Sequence, residues 1–212
     1  MDDFSLEPVE CWWQNQCILI DAQRYCKKFG LHSCNPYHNI QHCELVAKIS
    51  ILYGMKAGLK RNDLLIIGVA GLFHDFNHSG KLLDAVPDKE NIQRALYGFQ
   101  KYSNTRFISF KFYQKIRQII TNTEVEKIDG VIHFKEPVNE IGKFVRDADV
   151  VQLLFDDGRK LQIGLAKEMC ITWDSFFKVK AVDFINNVHL FTEPAKQHRE
   201  SMQDFLENWK LA

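Results

Sequence analysis

The sequence predicts an all-α fold. Apolar residues recur at helical spacing through most of its 212 positions, and the runs are punctuated by glycine, proline and Ser-Asn breaks. The one segment with strand character, Val131-Ile132-His133-Phe134, has no alternating segment in view to pair with it. A chain of this length buries roughly 70% of its unfolded surface, enough for a well-packed core, so a single domain over residues 1–212 is expected.

The elements follow in order. Cys17, Leu19 and Ile20 lead into Tyr25 and Phe29 at helical spacing, and Gly30 stops that helix because it lacks the Cβ that penalises a C-terminal turn. Asn35-Pro36 restarts the chain, after which Cys43, Val46, Ala47, Ile49, Ile51 and Leu52 form a broad apolar face up to Gly54. His38 and His42 fall at the beginning of this second helix. Asn62 is placed to cap a third helix, with Asp63 near the positive end of its dipole, and the apolar run Leu64 to Phe73 carries it to about Asp75. The polar stretch from Asn77 to Lys89, with Gly80 and Pro87, reads as a loop of active-site size. Helices are expected near 89–102, 107–121 and 138–155, broken at Ser103-Asn104, Asp129-Gly130 and Pro137, with the last two over 161–190 and 194–209.

Composition narrows the class. Apolar residues make up 46% and charged residues 25%, inside the range of ordered globular proteins. A formal charge of zero removes the cationic surplus that nucleic-acid polymers and anionic membranes require, so any nucleotide partner is expected to be small. The Leu64–Phe73 run is about half a membrane span. Asp2 and Asp3 open the chain without a basic region ahead of an apolar one, so no secretory signal is read and a cytoplasmic location is expected. Six cysteines at 11, 17, 26, 34, 43 and 170 contain no C-x-x-C pair, which fits reduced thiols.

The chemistry gathers in three places. His38 and His42 are four apart, one turn of a helix, and so are His74 and His78 if the helix persists that far. His74 is followed by Asp75 at the end of an apolar helix, a rigid support for ligands. Arg146-Asp147-Ala148-Asp149-Val150-Val151 sets two carboxylates in an otherwise core-facing helix, where burial without a cation would be costly. Mixed imidazole and carboxylate ligands suit zinc, manganese or iron, and carboxylates also suit magnesium. His32, His133, His189 and His198 lack such a setting and are expected at the surface or at helix ends.

The ordered set His42…His74-Asp75…Asp149 resembles the H…HD…D pattern of the HD superfamily of metal-dependent phosphohydrolases. Tyr37-His38-Asn39-Ile40-Gln41-His42 is similar to the Y-H-N-x-x-H signature of class I cyclic nucleotide phosphodiesterases, and His74 to Gly80 to their H-D-x-x-H-x-G. The likeness spans roughly residues 35–155. Asp88-Lys89-Glu90-Asn91, Asp147-Ala148-Asp149 and Phe191-Thr192-Glu193-Pro194 look instead like small bacterial HD phosphohydrolases. The resemblance implies a compact multi-helix bundle holding two divalent ions, with Zn, Mn or Fe at a tight site and Mg or Mn at a second. His42, His74, Asp75 and Asp149 would be the ligands, with Asp147 as the alternative to Asp149. It further implies His38 as the acid that protonates the leaving oxygen, His78 as a catalytic or phosphate-orienting neighbour, and Glu90 as a candidate partner of His38. The implied substrate is a small nucleotide, a 3',5'-cyclic one first and a 5'-nucleotide monoester second, with Tyr37 and Phe184 against it. Ala181 stands where the phosphodiesterases have the glutamine that grips a purine. Di-iron oxygenation would call for a further histidine where this chain has Thr121-Asn122-Thr123-Glu124.

Overall fold

The expected helices form, with adjustments that trace to local chemistry. A computed structural model describes residues 3–30, 35–81, 86–106, 108–128, 131–173 and 175–211. Along the chain these are α1 (Glu7–Trp13), α2 (Cys17–Phe29), α3 (Ile40–Lys56), α4 (Arg61–Phe73), α5 (Asp88–Asn104), α6 (Phe110–Asn122), α7 (Gly142–Val150), α8 (Asp156–Glu168), α9 (Ser175–Asn187), α10 (Glu193–Ser201) and α11 (Gln203–Leu211). The fold is all-α, with one small hairpin of β1 (Val125–Ile128) and β2 (Val131–Phe134).

Helix α4 is the pivot. Every residue from Leu64 to Phe73 is buried, which explains why its sequence reads as apolar all round and not as one stripe. Helix α3 runs against it at close range: a Cβ on Gly71 would come 2.7 Å from the Cα of Ala47, so only glycine permits that approach. Helices α2, α6 and α7 pack on this pair, and Tyr25, Phe73, Phe76, Phe99 and Tyr102 fill the α2 side with interlocking rings. The described cysteines are free, and Cys34 lies outside the described residues, as does His32. Among the described residues no helix is long and apolar enough to cross a membrane.

Four expectations need correction, and a fifth residue meets its expectation in an unexpected setting. Strand β2 does have a partner: Val125 pairs antiparallel with Phe134 and Ile128 with Val131. The signal was weak because Val-Glu-Lys-Ile is four residues long with adjacent charges at its centre, though the Asp129-Gly130 dipeptide between the strands is a hairpin signature. Asn62 caps nothing: α4 begins one residue earlier, behind Lys60. The segment 138–155 starts helical only at Gly142, whose N–H is taken by Asn139 Oδ1 at 2.6 Å, and after Val150 it tightens into a 3-10 turn, Gln152–Leu154. The segment 161–190 is broken after Glu168, where Cys170 turns left-handed at φ 55°. His198, expected at the surface or a helix end, does sit in the last turn of α10, but it is buried. It stacks on Phe4 at 4.1 Å and shares a hydrogen bond with the Tyr53 hydroxyl. His133 and His189 are exposed as expected.

Candidate metal centre

The start of α3, the end of α4 and the end of α7 meet at one point. Asn39 caps α3, its Oδ1 accepting from the N–H groups of Gln41 and His42, which fixes the turn that carries the His42 imidazole. His74 stands just past α4, and its Nδ1 donates to the Gly71 carbonyl at 2.8 Å. That bond orients the ring and leaves Nε2 as its free ligand atom. His42 Nε2 and His74 Nε2 lie 3.1 Å apart. Asp75 Oδ2 is 3.0 Å from the first and 3.2 Å from the second. Asp149 Oδ1 is 3.5 Å from each.

This donor set fits a divalent cation. Two imidazole nitrogens and the Asp75 oxygen crowd one small space, with the Asp149 oxygen beside both rings, a set rich in lone pairs and poor in hydrogens, and both rings are almost wholly buried. Without a metal a proton takes that role. Burial pulls the His74 pKa down, but the carboxylates of Asp75 and Asp149 outweigh it and hold the ring well above its ordinary value. Burial pushes both carboxyls up, and the facing histidines, His74 foremost, overcome that: Asp75 sits well below the usual carboxylate range and Asp149 below it.

Asp147, the alternative to Asp149, is elsewhere. It points to the other side of α7 and accepts from the backbone N–H of Phe191 and of Thr192 and from the Thr192 hydroxyl. Two positions apart on a helix is about half a turn, so only one of the pair can face the histidines.

His38 and His42 do not share a helix face, contrary to the spacing argument, because α3 starts at Ile40 and leaves His38 in the preceding turn. His38 still faces the centre, with Nε2 4.0 Å from Asp75 Oδ2. Its Nδ1 is bonded to Glu168 Oε2 at 2.5 Å, and the other Glu168 oxygen accepts from the N–H groups of Tyr37 and His38. Helix α8 brings Glu168 there by a close approach: a Cβ on Gly164 would stand 2.1 Å from the Pro36 carbonyl oxygen. Burial lowers the His38 pKa, yet the bond to Glu168 and the charge of Asp75 prevail and raise it. Glu90, the expected partner, is exposed. Glu168 was not identified from sequence; it lies 130 residues from His38 and belongs to no motif there.

The helix does not persist to His78. The chain leaves α4 after Phe73, Asn77 takes φ 62°, and His78 stacks on His38 with ring centroids 3.8 Å apart. Gly80 N–H donates to its Nδ1 and the Asn91 amide lies 2.9 Å from its Nε2, so both ring nitrogens are engaged by the chain. Burial first, and then the His38 charge, press its pKa down to about 3. The ring is held neutral where it stacks on His38.

Tyr37 and Phe184 have different neighbours. Tyr37 is buried with its ring 4.6 Å from His42, and its hydroxyl accepts from Gln152, so it packs behind that imidazole. Phe184 is 42% exposed on α9, and its ring meets Phe134 of β2. Gln152 is a residue that sequence reasoning missed: its buried amide lies against His42 Nδ1 and donates to the Asp149 carbonyl, linking two ligands from one side chain.

No family model and no curated protein matches this chain. Solved structures do resemble it. The Lin1889 protein of Listeria innocua superposes with a TM-score of 0.54 at 21% identity, covering 90% of this chain and 92% of that one. Bacillus subtilis YpgQ gives 0.52 at 17% identity, covering 91% and 95%. At those identities the likeness speaks for the fold alone.

Proposed function

We propose that this protein is a metal-dependent phosphohydrolase acting on a small nucleotide. The observation that carries the reading is the convergence of His42, His74, Asp75 and Asp149 on one point, with the His38–Glu168 pair facing it from the open side. Bound divalent ions would supply Lewis acidity to a phosphoryl group and acidify water near neutral pH. His42, His74, Asp75 and Asp149, supported by Gln152 and by the Gly71 carbonyl, would hold that charge in place. Glu168 holds the proton on His38 and keeps Nε2 turned toward the centre, where it can pass a proton to a departing oxygen. His78 and Tyr37 keep the His38 ring from swinging away.

The signatures around Tyr37–His42 and His74–Gly80 favour a 3',5'-cyclic nucleotide. A second reading, hydrolysis of 5'-nucleotide monoesters, is favoured by Ala181 in place of a base-gripping glutamine and by Phe184 packing on the hairpin. Metal analysis together with product analysis on cyclic and linear nucleotides tests both. Asp75→Ala is expected to lose bound metal and turnover, and full metal occupancy with near-native turnover in that variant would overturn the assignment.

A further inference from the structure

Three residues before Asp149, on the same side of α7, Arg146 is enclosed with part of its donor set unmet. Only 4% of it is exposed. Among the described residues, neither Nε nor Nη1 meets an acceptor. The Phe134 ring covers one face of the guanidinium, with its centroid 3.6 Å from Cζ. The carboxylates on its own helix are committed elsewhere, Asp149 to the histidines and Asp147 to Phe191 and Thr192. Burial lowers its pKa to about 10, with Asp149 and then Asp147 opposing, so the group remains a cation at neutral pH. A buried cation with unmet donors is costly, and an apolar side chain of like size would fill the space at less expense in stability.

Its surroundings tie Arg146 to the metal centre from two directions. Asp149 lies one helical turn away, and the two attract. On the other side Phe134 pairs across the hairpin with Val125, whose N–H donates to Asp88 Oδ2 at 2.7 Å. Asp88 Oδ1 in turn stands 3.8 Å from His78 Nε2. The hairpin that roofs Arg146 is therefore anchored to the wall of the centre.

We propose that Arg146 is an anion-binding residue beside the metal centre, whose guanidinium takes a phosphoryl oxygen of the substrate. The identity of the anion rests on the phosphohydrolase reading; the need for one rests on the orphaned nitrogens. Arginine suits the place better than lysine because its planar group stacks on Phe134 while its edge stays available for hydrogen bonds to phosphate. The Phe134 ring that covers one face of the group is itself only half-buried.

Inorganic phosphate is the probe. Its dissociation constant is measured by calorimetry on the full chain, wild type and Arg146→Met, in chelator-stripped and manganese-loaded states. Arg146→Met is expected to weaken phosphate binding about 10- to 100-fold, the loss of a charge-assisted bond. It is also expected to keep the wild-type metal content and to melt in phosphate-free buffer no lower than the wild type. Arg146→Gln carries the same affinity test if the methionine variant does not fold. Undiminished phosphate affinity in the folded variant overturns the proposal. So does a lowered melting temperature of Arg146→Met without phosphate, which would mark Arg146 as a structural pillar. If the wild type takes up no metal, the phosphohydrolase reading falls, while the affinity ratio in the metal-free protein still decides on Arg146.

Discussion

His38 shows how one residue's role is set by a partner far away in sequence. Its Nδ1 is taken by Glu168 and its Nε2 faces the ligands, which is the division of labour a general acid needs. His38→Ala is expected to keep its metal while slowing hydrolysis by about 10² to 10⁴. The loss should shrink for a p-nitrophenyl ester, whose leaving group departs without a proton. Glu168→Gln should move the alkaline limb of the pH–rate profile to lower pH, since the carboxylate is what raises the His38 pKa. Equal losses on good and poor leaving groups, together with lost metal, would make His38 a ligand. The candidate acid was legible from the local pattern Tyr37 to His42. Glu168 and Gln152 were not, because nothing near them in sequence records which histidine they meet.

At the scale of the element, α7 uses its two faces for different tasks. Asp149 is turned to the histidines, while Asp147 is fully buried and ties α7 to the start of α10. The two substitutions should therefore separate. Asp147→Ala leaves buried N–H groups unmet and is expected to cost about 2–4 kcal/mol in denaturant unfolding with metal uptake preserved. Asp149→Ala is expected to lose metal, with a smaller loss of metal-free stability than Asp147→Ala. The reverse pattern would exchange the two assignments. From sequence the pair was ambiguous: a helix of nine residues broken on both sides gives too little apolar periodicity to say which face points inward.

The whole molecule concentrates charge at its centre, so stability and metal uptake should both follow pH. In the metal-free chain the raised pKa of His74 stabilises the fold fully below its unfolded value of about 6.5, and that contribution is lost as pH rises through the folded value. The depressed carboxyls of Asp75 and Asp149 act oppositely: their contribution is present above about 3.9 and is lost as pH falls through their folded values. A metal must displace the His74 proton, so its binding should tighten as pH rises. At a hundredfold excess over Kd it adds about 2.7 kcal/mol. For a chain of this size that is about 5–10 °C in Tm. Scanning calorimetry with and without manganese at several pH values checks this. A gap that stays constant or narrows with rising pH would contradict the ligand role of His74.

The helical class, the buried run of α4 and the ordered cluster of His42, His74 and Asp75 were legible along the chain, because helical periodicity and the spacing of side chains are local properties. Tertiary structure decided what required two distant segments to meet. It separated Asp149 from Asp147, replaced the exposed Glu90 by Glu168 as the partner of His38, set Phe184 against Phe134, and left Arg146 charged beneath the hairpin. Side-chain direction at a helix end, and the burial of a charge, depend on what packs across from it, and spacing along the chain carries no record of that.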